Sequence, residues 1–130
     1  MDRKLTRKDL TAAWTFQVET VPVSELGEGA VVCVRQFSAA DRGKLEVLGT
    51  RFREKKAYDE VPKVRLMTCA LAMCNDEGER LFQTTDADLD EIGKMPAAVV
   101  DRIFEAAARM NGLEKKATEE QEKNSVSAQS

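Results

Sequence analysis

The sequence predicts a mainly α chain of the α+β class: an N-terminal β-hairpin, a compact bundle of about four helices, and a disordered C-terminal tail. Three observations predict it. Between Trp14 and Phe37 apolar residues mostly alternate with polar ones, the two-residue period of half-buried strands. From Ala39 to Leu113 apolar residues recur every three or four positions, which is helical spacing. From Glu114 to Ser130 only Val126 is a larger apolar side chain, too little to hold a packed segment. The 130 residues are therefore expected to form one globular domain over 1–113, with the hairpin at about 14–37 and the helical part at about 39–113. Residues 114–130 would be a flexible tail.

Residues 1–13 read as a polar lead-in with one helical turn around Thr6–Leu10. In the first strand Trp14, Phe16, Val18, Val21 and Val23 are the apolar positions, and Pro22, which has no N–H for a ladder, marks an edge or a strand end. Leu26-Gly27-Glu28-Gly29 supplies a turn, and Ala30 to Phe37 is rich in β-branched residues. Two strands alone are marginal in water, so the hairpin must lie on the helices or on another subunit.

Ser38 stands at a helix N-cap with Asp41 three residues on, an acidic variant of the capping box. A helix from Ala39 to about Lys56 places Leu45, Val47, Leu48, Phe52 and Tyr58 at turn spacing, although Gly43 and Gly49 each weaken it by about 1 kcal/mol relative to Ala. Arg51, Arg53, Lys55 and Lys56 gather near its C-terminal end, where they complement the helix dipole. Asp59 to Pro62 breaks the helix.

A second helix is expected over Lys63–Cys74, with Val64, Met67, Leu71 and Cys74 on one stripe and Leu66, Ala70 and Met73 widening it. A helix that apolar needs cover on more than one side, so it is central to the monomer or sits in a subunit interface. Asn75 to Glu79 lacks the ligand spacing of a calcium loop and reads as a turn with Gly78 at positive φ. Thr84 or Thr85 then caps a short acidic helix, Asp86–Ile92. After Gly93-Lys94-Met95-Pro96, Ala97–Met110 has the cleanest amphipathic pattern in the chain, closed by Asn111-Gly112 and Leu113.

Composition narrows the function classes. A net charge of -3 gives no basic excess for a nucleic-acid partner. No apolar run reaches the roughly 18 residues of a membrane span, and the N-terminus lacks the apolar stretch of a signal peptide. Cys33, Cys69 and Cys74 read as free, core-filling thiols of a reducing compartment. Cys69 and Cys74, five apart, would lie about 140° apart on a helix and so form neither a redox pair nor joint metal ligands. The chain has no histidine, no glycine-rich phosphate loop and no nucleophile elbow. No catalytic, cofactor-binding or metal-ligating set is expected. The chain looks built to bind protein.

Residues 64–113 carry a resemblance. The helix VRLMTCALAMC, the acidic turn NDEGERLF, the helix start TTDADLDEIGKM, and the close Met110-Asn111-Gly112-Leu113 follow one another in order and spacing. Together they resemble the tail assembly chaperones of long-tailed bacteriophages, especially those with non-contractile tails. The Ser38-Ala39-Ala40-Asp41 entry after a β-rich N-terminus fits as well, whereas Trp14 to Phe37 departs from the pattern. The resemblance implies a non-enzymatic factor of the host bacterial cytoplasm, absent from the mature virion. It implies binding of the tape measure protein and recruitment of tail tube protein through a longer product of programmed ribosomal frameshifting, this chain being the shorter product. The alternative is a structural tail or head–tail junction component retained in the virion.

A helical client calls for apolar grooves rimmed by charge. The expected protein-binding residues are Leu66, Met67, Met73, Phe82, Ile103, Phe104 and Met110, with the methionines offering adaptable contact. Phe82→Asp or Met73→Glu should then weaken client binding with the fold intact; loss of the fold instead would place those residues in the core. Self-association through the same surfaces or through the hairpin is also expected.

Overall fold

The computed structural model describes residues 2–12, 16–55 and 61–113, and of 49–55 and 61–62 the backbone only. Trp14, Tyr58, Lys56 and the tail 114–130 lie outside the described residues, and the Phe52 side chain lies outside them too.

Two layers form the body. A three-stranded antiparallel sheet of order β1-β2-β3 is built from β1 (Val18–Pro22), β2 (Val31–Arg35) and β3 (Met73–Cys74). Against one face lie α3 (Val61–Ala72) and α5 (Ala97–Met110). α2 (Ala39–Lys55) and α4 (Asp86–Gly93) pack on α3. A short exposed helix, α1 (Arg7–Thr11), precedes the sheet, with the Thr6 hydroxyl and Asp9 in a reciprocal capping box.

The α+β class holds, but in place of a hairpin beside a separate four-helix bundle, the two N-terminal strands are part of a larger sheet and the helices are layered on it and on one another. In place of a helix running through Cys74, α3 ends at Ala72, and Met73 and Cys74 turn extended to pair with Val34 and Cys33. The chain then reverses: Asn75 Oδ1 accepts from the amides of Glu77 (2.9 Å) and Glu79 (3.0 Å), with Gly78 at φ +82°. Leu81 N donates to Met73 O at 3.0 Å on the return. Helical spacing fails here for a nonlocal reason. The outer edge of β2 offers free N–H and C=O groups, and a ladder across 41 residues outbids one more helical turn.

α3 is the central helix, buried by contacts from α2, α4, α5 and β2. Its residues from Thr68 to Ala72 are buried, and Thr68, the one polar member, donates its hydroxyl to Val64 O at 2.8 Å. Val21, Val34 and Met73 project from the sheet into the same core as Ile92, Val99, Ile103 and Ala107. In α2, Leu45 and Leu48 are buried as expected, whereas Val47 points outward. Ser38 Oγ accepts from Asp41 N at 3.1 Å and Thr85 Oγ1 from Asp88 N at 3.3 Å, so both predicted N-caps form.

Candidate protein-binding surface

Two of the seven expected binding residues are interior. Met73 is 2% exposed and Ile103 1%, both inside the sheet–helix core. They could meet a client only if that core opened. Leu66, Met67, Phe82, Phe104 and Met110 are half-buried, each resting against the core with part of its surface outside.

On the α3–α5 side the apolar residues carry a charged rim. The Arg65 guanidinium lies over the Phe104 ring, 4.7 Å from its centroid, and its Nη1 is 2.6 Å from Asp101 Oδ1. Leu66 reaches toward α4, where its Cδ1 would sit 3.6 Å from a Cβ on Gly93. Alternating apolar and ion-paired groups along helices can accept an amphipathic partner helix.

Sequence reasoning missed the opposite face of the sheet. Gln36 N donates to Gln17 O and Val23 N to Ala30 O, which sets the phase of the β1–β2 ladder. Val18 and Thr20 on β1, with Val31 and Cys33 on β2, therefore point away from the helices. Val31 is 58% exposed and Val18 37%. The strand alternation was legible, but both of its phases are apolar in places, so pattern alone did not say which phase faced water.

The free edge of β1 is partly closed. Pro22 has no N–H, and its carbonyl accepts from Arg102 Nη1 at 2.6 Å. Arg102 also pairs with Glu25, and Arg109 holds Glu19 with two contacts of 2.8 and 3.3 Å. Between this edge and α5 runs a cleft of about 410 Å³, lined by Thr20, Pro22, Arg102, Glu105, Ala106 and Arg109 among others. Its two arginines are already paired, Arg102 with Glu25 and Arg109 with Glu19.

A second polar set was not legible. Asp41, 7% exposed, faces Arg35 at 3.3 Å, Arg80 at 3.8 Å and Lys44 at 3.8 Å. Arg35 also donates to Gly78 O at 2.9 Å and stacks over Phe16 at 4.3 Å. Asp41 thus does not complete a capping box; its carboxylate joins the start of α2 to β2 and to the strand return at Arg80. Among the described residues, no cluster of His, Cys, Asp and Glu has the makings of a metal site. Burial pushes the Cys69 thiol up to about 12 and also raises Cys33 and Cys74, so none of the three is an activated thiolate at neutral pH.

Neither a protein-family model nor a curated sequence matches the chain. Among solved structures, that of the bacteriophage HK97 tail assembly chaperone aligns with a TM-score of 0.54, over 78% of this chain and 88% of that one, at 16% identity. This chain has the fold of a phage tail assembly chaperone. The likeness extends well beyond residues 64–113, the stretch that carries the sequence resemblance, and takes in most of the described elements. At such low identity it is a likeness of backbone, so the side-chain arrangements above are argued from this chain alone.

Proposed function

We propose that this chain is a non-enzymatic assembly factor for the tail of a long-tailed phage, acting in the host cytoplasm and absent from the finished virion. Its client is the tape measure protein, whose long apolar helix it keeps soluble while tube subunits are recruited. The observation that carries this reading is the fold likeness to the HK97 tail assembly chaperone across most of both chains. The sequence resemblance at 64–113 supports it independently.

Leu66, Met67, Phe82, Phe104 and Met110 are the client-facing residues in this proposal. Half-buried apolar groups fit the role, because they are held in place from below and still present surface. Arg65 and Asp101 supply the rim. Met73 and Ile103 act beneath them as support.

The chain is also proposed to be the shorter product of a frameshifted gene. Glu114-Lys115-Lys116 and Glu122-Lys123-Asn124 can be written in A-rich codons, a suitable slip site. A nucleotide sequence without an A- or G-rich heptamer there overturns that part alone.

The decisive experiment is co-expression with the long helical protein encoded nearby, read by pulldown and by solubility of the client. Solubilisation and co-purification support the chaperone role. If the client stays insoluble and uncaptured beside a folded chain, the likeness is one of fold only. Mass spectrometry of purified virions is the complement: recovery of this chain at structural copy number would make it a tail component instead.

A further inference from the structure

The β2–β3 pairing creates a relationship that the spacing of Cys33, Cys69 and Cys74 in sequence conceals. Cys33 and Cys74 are direct partners across the ladder. The phase of β1–β2 bonding leaves the N–H and C=O of Cys33 directed at β3. On the other side of β3, Asn75 N donates to Glu79 O and Leu81 N to Met73 O, which leaves the backbone groups of Cys74 directed at β2. The two cysteines are therefore a hydrogen-bonded antiparallel pair, and their side chains share the sheet face turned away from α3 and α5.

We propose that Cys33 and Cys74 are a reversible cross-strand dithiol, closed by small-molecule disulfides such as glutathione disulfide. Cα atoms of such a pair stand about 5.5 Å apart, within the roughly 4.4–6.8 Å that a disulfide spans. The Cβ atoms of a hydrogen-bonded pair stand at the wide end of the ladder's range, about 5.5 Å apart, about 1 Å beyond the roughly 3.5–4.5 Å of a relaxed bridge. Closing it must draw the strands together locally, and a bridge so formed is readily reduced, which suits a switch better than a permanent staple.

Access sets the order of events. Cys33 is partly exposed, and Cys74, its neighbour across the ladder, is buried. The Cys33 thiolate attacks one sulfur of glutathione disulfide, forming a mixed disulfide and releasing one glutathione thiolate. The Cys74 thiolate then attacks the Cys33 sulfur and expels the second. Two protein thiols are oxidised to one disulfide, and glutathione disulfide is reduced to two glutathione molecules, with the thiol protons passing to them. Cys33 donates to Asp76 Oδ1 at 3.6 Å, and burial together with that carboxylate raises its pKa, so the first step is slow. Cys69 takes no part: it is fully buried, and its Sγ lies 3.8 Å from Val100 O.

The test uses the whole reduced chain, treated with glutathione disulfide, alkylated with iodoacetamide under denaturing conditions and digested for mass spectrometry without reductant. The expected product links Cys33 to Cys74, leaves Cys69 as the one alkylated cysteine, and returns to three alkylated cysteines after dithiothreitol. Its melting temperature should rise on closure and fall back on reduction, since the bridge ties the hairpin to the end of α3. Cys33→Ala and Cys33→Ser should fold and show no link. A stable glutathione adduct on Cys33 beside a free Cys74 overturns the proposal. So do a bridge to Cys69, a bridge between chains, or three thiols still reduced in a natively folded chain.

Discussion

Asn111 ends α5 and holds Phe37 at the junction of β2 and α2, 74 positions earlier in the chain: its Oδ1 accepts from Phe37 N at 2.7 Å. Its Nδ2 donates to Ala107 O at 2.9 Å, within its own helix. One side chain thus satisfies a helix terminus and a strand exit together. Asn111→Ala removes both bonds and leaves the partly buried Phe37 amide without its acceptor, at a cost of about 2 kcal/mol. Asn111→Asp keeps the acceptor and should lose less. Urea denaturation of the two variants beside the parent checks the order.

Asp41 offers a second test of distant contacts. It is the shared carboxylate for Arg35, Arg80 and Lys44. Asp41→Ala would leave two well-covered guanidinium groups facing each other, with an expected loss of about 3 kcal/mol. Glu46, whose exposed partner is Arg42, should tolerate alanine with a loss of well under 1 kcal/mol. Thermal melts of both variants measure the contrast.

Alkali should weaken the fold through Cys69. Burial raises this thiol from 9.0 to about 12. Above pH 9 the unfolded chain gives up the proton while the folded chain still holds it, so stability falls as pH rises. The contribution is whole below pH 9 and is lost progressively toward pH 12. Its slope approaches about 1.4 kcal/mol per pH unit. Cys69→Ala should be less stable at neutral pH, because it opens a small cavity, yet flatter above pH 9. Urea midpoints on both sides of pH 9 for parent and variant test the difference in slope.

Burial divides the seven expected contact residues into two kinds. Met73→Glu should abolish the native circular dichroism, because it puts a charge at a position 2% exposed. Leu66→Glu and Met67→Glu, at half-buried helix positions, should keep most of the fold and lose the client. Pulldown paired with circular dichroism separates the groups, and a Leu66→Glu chain that still binds would move the client surface elsewhere.

Local chemistry made much of the fold legible. Ala97–Met110 was read with both ends in place, because its stripe is bounded by Pro96 and by Asn111-Gly112. The caps at Ser38 and Thr85 and the turn at Gly78 follow from short-range hydrogen bonding and backbone preference. Met73 and Cys74 misled for the complementary reason. Their helical spacing is genuine, and only the free edge of β2, far off in sequence, makes them a strand. Exposure along the helices was the least legible part, since a helical stripe gives core residues such as Ile103 and half-buried residues such as Phe104 the same signal. Only packing tells them apart.

The sheet's first strand rests on the last helix of the described fold, and the Glu19–Arg109 and Phe37–Asn111 contacts span 90 and 74 positions. During synthesis, then, the hairpin leaves the ribosome long before its partners exist. Val21 and Val34 must wait in water until α5 has cleared the exit tunnel, and the open edge of β2 until β3 has. Helices α2 to α4 can gather locally in that interval, but the core closes only at the end. A ribosome that pauses just after Leu113 would still hold α5 inside the tunnel, so even a brief delay there prolongs the half-built state.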